Sequence, residues 1–132
     1  MVKFMTAEWA KEYCKALNDS KAYEIAGKGW EGDFVFLAEY PDGKVTKLYI
    51  DLFDGKCRKA YEMKETEEIQ AAFIMSGSYE NWKLVAEKKL DPIQGLMVGK
   101  FKLKGDMAMV MRYTKAAVEM VNCIMNVPNT EL

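Results

Sequence analysis

The chain has 132 residues, of which 50% are hydrophobic and 30% are charged, and its formal net charge is −1. A chain of this length is typical of one domain that buries roughly two thirds of its unfolded surface. The net charge lacks the basic excess that a nucleic-acid partner requires, and no stretch approaches the roughly 20 apolar residues of a membrane span. Because the start, MVKFMTAEWAKEY, becomes charged too early for a signal peptide, we expect a cytoplasmic protein.

The chain contains no histidine, and its three cysteines are Cys14, Cys57 and Cys123. Without histidine, the chain lacks the commonest general base, the commonest metal ligand and the usual partner of a nucleophilic serine or cysteine. The cysteines form no C-x-x-C pair, and their odd number favours a reducing compartment in which they are buried as small apolar side chains. We therefore expect no metal, no cofactor and no catalytic residue.

The first predicted element is a helix over residues 6–18. Thr6 suits the N-cap position, where a hydroxyl accepts a hydrogen bond from a free backbone amide. Apolar residues recur at helical spacing between charged ones, namely Ala7, Ala10, Cys14 and Leu17. The passage NDSKAYEIAGKGWEG at 18–32 contains three glycines and is predicted to be turn-like.

Residues 33–64 are predicted to form a three-stranded antiparallel meander. The segments DFVFLAEY, VTKLYIDLF and KCRKAYEMK are rich in β-branched and aromatic residues, and the turn sequences PDG and DG separate them. In the middle segment, one face carries Leu48, Ile50 and Leu52. Lys47 and Asp51 lie on the other face, so we expect one covered side of the sheet and one solvated side.

From residue 71 onward, strands and helices alternate. AAFIMSGS at 71–78 reads as a fourth strand, and SYENWKLVAEKKL predicts a helix over 79–90 with Ser78 as its N-cap. Asp91-Pro92 matches a cap followed by proline at the first helical position, and Gly99 is placed to end this short helix.

A fifth strand, KFKLK at 100–104, is predicted to place Phe101 and Leu103 on one face and its lysines on the other. Gly105-Asp106 then ends this strand and caps a final helix over 107–125. That helix has an apolar arc wider than a surface helix needs, and its methionines suit a surface with irregular or changing contents. From these residues alone three interpretations stay open: a core helix, an interface with a partner such as a second copy, or a wall of a cavity for a hydrophobic ligand.

The segment LDPIQGLMVGKFKLKGDMAMVMRY resembles the signature of the sterol carrier protein type-2 family. In that family a small helix beginning Asn/Asp-Pro is followed by a basic strand, Gly-Asp-Met and the final helix. The matching positions are Asp91-Pro92, Leu96-Met97, Gly99-Lys100, Phe101-Lys102-Leu103 and Gly105-Asp106-Met107. The order of the elements extends the likeness, more loosely, over residues 33–125.

The resemblance implies an α+β fold with a twisted, five-stranded, mostly antiparallel sheet and helices covering one face. It also implies a hydrophobic tunnel between them for sterols, fatty acyl chains or acyl-CoA esters, and no catalytic residues. We expect a single domain over 1–132, made of an N-terminal helix and glycine-rich connection (1–32), the meander (33–64) and a strand–helix–helix–strand–helix unit (71–125).

The expected ligand lies between the covered face of the sheet and the helices at 79–98 and 107–125. Burying one methylene contributes about 0.8 kcal/mol, so apolar contact alone would hold an elongated ligand with broad selectivity. The expected lining residues are Phe73, Met75, Trp82, Val85, Leu96, Met97, Phe101, Leu103, Met107, Val110 and Met111. The candidate contacts to a carboxylate or CoA phosphate are Lys100, Lys102, Lys104 and Arg112. The plainer interpretation of these basic side chains is the solvated face of an edge strand, where lysine discourages aggregation.

We therefore expect a non-catalytic protein that binds, and transfers, a fatty acyl chain, an acyl-CoA or a sterol-like lipid. The alternative is a dimerisation or protein-interaction domain that uses the apolar C-terminal helix. A third interpretation is an enzyme that uses Asp51, Asp54 or Glu62 on a thioester, although carboxylates on strand faces and turns are usually solvated. The expected partners are a lipid or acyl-CoA and, transiently, a membrane, with the chain as a monomer or a homodimer.

Overall fold

The computed structural model describes residues 2–128 and 130–132. In chain order its elements are β1 (Val2–Lys3), α1 (Ala7–Asp19), α2 (Lys21–Ala26), β2 (Glu31–Glu39), β3 (Val45–Phe53), β4 (Lys56–Glu62), β5 (Phe73–Ser78), α3 (Tyr79–Ala86), α4 (Pro92–Met97), β6 (Phe101–Lys104), α5 (Met107–Arg112), α6 (Thr114–Met125) and β7 (Thr130–Glu131).

The five longer strands form one sheet in the order β4-β3-β2-β5-β6. Neighbouring strands are antiparallel except β2 and β5, which are parallel. The short strands β1 and β7 pair in parallel and bring the two ends of the chain together. The architecture confirms the α+β fold and the mostly antiparallel, five-stranded sheet that the sequence predicts.

One face of the sheet is covered by helices. The predicted inward residues of β3 are all buried, namely Leu48, Ile50 and Leu52. On the neighbouring strand, the ring of Phe36 lies 5.7 Å from Tyr13 of α1 and 5.1 Å from Trp82 of α3, measured between ring centroids. Both helices therefore pack on the same face, and the core lies between them and the sheet.

The opposite face is more covered than predicted. Lys47 lies on that face, yet it is only 8% exposed, because the chain crosses from edge strand β4 to β5 through residues 63–72. The Lys47 ammonium donates to the backbone oxygens of Glu65 (3.3 Å) and Glu67 (2.8 Å) in this crossing. The expectation of a solvated face is therefore wrong at Lys47, whose charge is held by backbone carbonyls.

The final helix predicted over 107–125 is interrupted, and that prediction is wrong at Tyr113. The residue has φ −110° and ψ 40°, and it separates α5 from α6. Its ring packs edge-on against Trp30 with 5.4 Å between centroids. The Thr114 hydroxyl donates to the Met111 carbonyl at 2.7 Å, which satisfies one of the acceptors that the break leaves free.

Two smaller differences concern the other helices. The passage at 18–32, predicted to be turn-like, contains the short helix α2, because the Ser20 side chain accepts a hydrogen bond from the Tyr23 amide and caps it. The helix predicted over 79–90 ends at Ala86, and Lys88 adopts φ +64° just beyond it. The predicted caps all accept hydrogen bonds from the following turn, namely Thr6, Ser78, Asp91 and Asp106.

Helix α1 is joined covalently to strand β4. Cys14 and Cys57 form a disulfide with their Cα atoms 5.4 Å apart, so the prediction of free, reduced cysteines is wrong for this pair. Asn18, one turn further along α1, accepts from the Cys57 amide (2.8 Å) and donates to its carbonyl (2.9 Å). With this pair cross-linked, cysteine usage no longer supports the expectation of a reducing compartment. Cys123 is free and buried, as predicted.

Reduction of the disulfide is expected to destabilise the fold. The bond closes a loop with a sequence separation of 43, and closing such a loop typically stabilises a protein by about 2–4 kcal/mol. The free energy of unfolding of the wild type, measured in urea, should fall by this amount when a reductant is added. The double variant Cys14→Ala, Cys57→Ala should have the lower value without reductant, and adding reductant should not change it. A wild-type free energy of unfolding that reductant leaves unchanged would contradict the prediction.

Candidate functional site

An apolar pocket of about 50 Å³ lies between the covered face of the sheet and helices α4, α5 and α6. Every side chain that lines it is hydrophobic: Trp30, Phe34, Phe36, Met75, Pro92, Ile93, Leu96, Leu103, Val110, Ala117, Met120, Val121 and Ile124. Because no polar side chain lines this pocket, it can recognise a ligand only by shape and by burial of apolar surface.

The floor of the pocket follows from strand alternation. Side chains two apart on a strand share a face, so Phe34 and Phe36 of β2 both point towards the helices, beside Met75 of β5 and Leu103 of β6. Trp30 extends the floor just before β2 and stacks at 5.1 Å on Phe73. The floor is therefore largely aromatic and fixed by the sheet.

The roof comes mainly from α6, with smaller contributions from α4 and α5. The lining residues of α6 recur at spacings of three and four, which is one face of a helix; they are Ala117, Met120, Val121 and Ile124. Helix α6 is tied to α1 on its other side, where the Tyr13 hydroxyl donates to the Met120 carbonyl at 2.9 Å.

The pocket approaches the surface at two places. Leu96, Leu103 and Val110 line it and are only half-buried, so it nears solvent between α4 and α5 above the edge strand β6. In addition, Pro92, Ile93 and Val121 line both this pocket and a surface groove between α4 and α6. These three side chains are a thin wall between the pocket and that groove.

The pocket is too small for a lipid chain in this conformation. An engineered dry apolar cavity of about 150 Å³ accommodates one benzene molecule, whereas this pocket has about 50 Å³. It is therefore not the open tunnel that the resemblance implies. A long ligand requires the roof to move away from the floor.

The structure brings four of the predicted lining residues together in the pocket: Met75, Leu96, Leu103 and Val110. Four others are buried in the adjoining core and do not line it: Phe73, Trp82, Val85 and Phe101. The remaining three are exposed, namely Met97, Met107 and Met111. Exposure of these methionines follows from the short helices α4 and α5, which turn only one face to the core.

Sequence reasoning missed most of the lining. The missed residues are Trp30, Phe34, Phe36, Pro92, Ile93, Ala117, Met120, Val121 and Ile124. Two signals were available: the alternation of β2, which pairs Phe34 with Phe36, and the helical spacing of the four α6 residues. Trp30 had no such signal, because it precedes the strand in a glycine-rich passage.

None of the four basic residues proposed for a head group lines the pocket. The alternation of β6 places Lys102 and Lys104 on the face opposite Leu103, and Lys100 is exposed just before the strand. Arg112 lines a separate surface groove, together with Gly29, Glu31, Asp106, Ala108, Met109 and Tyr113. A head group held by Arg112 would therefore lie outside the apolar pocket.

The carboxylates weighed as acids or bases also lie away from the pocket. Asp51 pairs with Arg58 at 3.1 Å, and Asp54 accepts from the Gly29 amide at 2.8 Å in the β3–β4 turn. Glu62 is exposed at the end of β4. Within residues 2–128 and 130–132, no group of three or more cysteine, aspartate or glutamate side chains is placed to hold a metal ion.

Titratable groups behind the pocket are held neutral by burial. Burial raises the pKa of Tyr13 and of Tyr23 well above the ordinary value for tyrosine, and it also raises the pKa of the Cys123 thiol. All three sit where α1 and α2 meet α6. In the part of the chain that the structure describes, no helix has both the length and the hydrophobicity needed to cross a bilayer.

Comparisons with known proteins identify the family of this small α+β protein with a purely apolar pocket under its C-terminal helices. The model of the SCP-2 sterol transfer family matches residues 4–118, so the chain belongs to that family. A search of curated proteins gave no significant match.

Solved structures agree with this assignment. A crystal structure of sterol carrier protein 2 is 32% identical, with a TM-score of 0.86 over 94% of this chain and 98% of that one. A conserved hypothetical protein from Thermus thermophilus is 32% identical, with a TM-score of 0.83 over 96% and 91% of the two chains. Palmitated SCP2L2 from Aedes aegypti shares the fold at 18% identity, with a TM-score of 0.57 over 86% and 88%.

Gly105, which joins the floor strand β6 to α5, is expected to tolerate no side chain. It has φ +143°, and an added Cβ would press on the ring of Phe73 and lie 2.8 Å from the Ala72 carbonyl. Gly99 also has a positive φ, yet nothing lies within 4 Å of its added Cβ. Gly105→Ala should therefore cost about 1–3 kcal/mol more than Gly99→Ala in urea unfolding. Equal losses would show that contact with Phe73 and the Ala72 carbonyl is not what requires glycine at 105.

Proposed function

We propose that this protein binds a single elongated apolar lipid (a fatty acyl chain, an acyl-CoA or a sterol-like molecule) in the pocket beneath α4, α5 and α6, and transfers it without catalysis. The observation that carries the proposal is the wholly apolar lining of that pocket in a chain of the SCP-2 sterol transfer family. The palmitate in the name of the Aedes aegypti relative supports a fatty acyl chain as one ligand of this fold.

Apolar burial is sufficient to hold such a ligand. Each methylene removed from water contributes about 0.8 kcal/mol, before the cost of ordering the chain and moving the roof. With no polar side chain in the lining, selectivity would depend on length and bulk. We therefore expect several lipids of similar size to compete for the pocket.

The roof would open at α4 and α5. Helix α5 has six residues, none of them fully buried, and the irregular backbone at Tyr113 separates it from α6. Helix α4 is equally short and contributes half-buried Ile93 and Leu96 to the lining. Moving these two helices outward disrupts fewer buried contacts than moving α6, which is bonded to α1 through Tyr13.

The proposal is tested by filling the pocket. Ala117→Leu adds three carbons to the roof where it faces the floor, so it should weaken binding of cis-parinaric acid, a fluorescent fatty acid, by about tenfold or more. The measurement is a fluorescence titration of delipidated protein. Ala22→Leu, the same change at an exposed position on α2, is the matched control. If the wild type binds neither fatty acids nor acyl-CoA nor sterols, the proposed function is wrong.

A head group at Arg112 is tested separately. Arg112 lines the groove next to Tyr113, where its guanidinium could pair with a carboxylate or phosphate. Arg112→Glu should weaken acyl-CoA binding about tenfold and leave an uncharged sterol unaffected, whereas charge reversal of Lys102 and Lys104, on the far face of β6, should change neither. Equal losses for charged and uncharged ligands would show that Arg112 makes no head-group contact.

A further inference from the structure

The groove between α4 and α6 lies directly outside the apolar pocket. It has a volume of about 300 Å³, compared with about 50 Å³ for the pocket. Pro92, Ile93 and Val121 line both spaces, so only this thin wall separates them. Joined, the two spaces would reach the size of roughly 300–1,000 Å³ that is typical of a ligand site. The groove therefore offers the additional room that a lipid chain requires.

Unlike the pocket, the groove is partly polar. Its polar lining residues are Lys88, Asp91 and Asn122. Asp91 is already occupied as the N-cap of α4, where its side chain accepts from the Ile93 amide at 2.9 Å. Lys88 is exposed and takes part in none of the ion pairs in the described part of the chain. Its ammonium group is therefore available to an anionic ligand.

The backbone at Lys88 has a conformation that favours glycine. The Lys88 amide donates to the Val85 carbonyl at 3.0 Å, and the Lys89 amide donates to the Leu84 carbonyl at 2.8 Å. These two hydrogen bonds form the Schellman motif that ends α3, in which the left-handed residue is usually glycine. Lys88 occupies that place with φ +64°, which is unfavourable for a residue with a Cβ. A long, charged side chain at such a position indicates a role for the side chain itself.

We propose that the α4–α6 groove binds the carboxylate of a fatty acid, with Lys88 as its partner, while the acyl chain passes the wall into the apolar pocket. This inference rests on the proposed function and assigns the position of the ligand's head group and its polar contact. The wall would part on its α4 side, where Ile93 is only half-buried, while Val121 stays in place on α6.

The groove that contains Arg112 is less suited to a carboxylate. Among the described residues, none lines both that groove and the apolar pocket, and Glu31 and Asp106 line it beside Arg112. A long head group such as CoA can extend over the surface, whereas the carboxylate of a fatty acid is attached directly to its chain. A fatty acid therefore requires a cation next to the wall, and Lys88 lines the same groove as the wall residues.

Methionine methyl groups can locate the head group. Protein with isotopically labelled methionine methyls is titrated with stearic acid that carries a nitroxide near its carboxyl end or, separately, near its methyl end. Met125 lines the α4–α6 groove, Met109 lines the Arg112 groove, and Met75 lies on the pocket floor. The carboxyl-end label should broaden the NMR signal of Met125 most, and the methyl-end label should broaden that of Met75 most. Strongest broadening of Met109 by the carboxyl-end label would overturn the proposal.

Neutralisation of Lys88 tests its contact with the carboxylate. Lys88→Gln should weaken binding of cis-parinaric acid about threefold to fivefold, as expected for one exposed ion pair, and leave binding of its methyl ester unchanged. Lys88→Arg should bind like the wild type, and Lys88→Gly should lose the same affinity while unfolding at an equal or higher urea concentration. Lys89→Gln, at an exposed neighbour that does not line the groove, is the matched control. Equal losses for acid and ester, or for the two glutamine variants, would overturn the assignment of Lys88.

The binding data also separate this inference from the proposed function. A wild type that binds acyl-CoA or sterols but no fatty acid would overturn the inference and leave the proposed function standing. Fatty-acid binding that Lys88→Gln leaves unchanged would have the same meaning. A wild type that binds none of these lipids would overturn both.

Discussion

The parallel pairing of β2 with β5 at the centre of the sheet determines how the rest of the molecule is arranged. Two parallel neighbours cannot be joined by a hairpin, so the chain must cross one face of the sheet between them. Here residues 63–72 make that crossing, and Lys47 binds its carbonyl oxygens. The helices lie on the other face, and the pocket lies between them and the sheet.

The pairing also sets the composition of the pocket floor. In register, Phe34 is opposite Phe73 and Phe36 is opposite Met75, so large side chains of adjacent strands lie side by side on the helical face. Phe34 and Phe73 stack with 5.0 Å between centroids. Flat rings packed in this way give a smooth apolar surface that a helix side chain or a ligand can contact without needing hydrogen bonds.

Much of the fold could be predicted from the sequence because local chemistry and tertiary structure agree. The caps Ser78, Asp91 and Asp106 each stand one residue before a helix in the structure, and the PDG and DG turns separate antiparallel strands. The segment from Leu90 to Tyr113 carried the family resemblance, which comparison with the family model confirms over residues 4–118.

The remaining features depend on contacts between residues distant in sequence. The Cys14–Cys57 bond requires α1 to lie on β4, which nothing in the cysteine spacing indicates. The break at Tyr113 depends on Trp30, whose ring meets that of Tyr113 at 5.4 Å. The helical pattern of the sequence, taken alone, predicts a helix that continues through Tyr113. The exposed methionines were predicted as lining residues for a related reason. Met97, Met107 and Met111 have the apolar, flexible side chains that suit a lining, but they lie on the outer side of short helices.

The helices that cover the sheet differ in how firmly they are held, and this difference bears on how a closed pocket could admit a ligand. Helix α1 is fixed to β4 by the disulfide and by both Asn18 hydrogen bonds, and Tyr13 in turn holds α6. Helices α4 and α5 have six residues each and contact the core through partly buried side chains. Regions with few buried contacts open at the lowest free energy. The aromatic floor and α6 would therefore keep their shape while α4 and α5 adapt to the ligand.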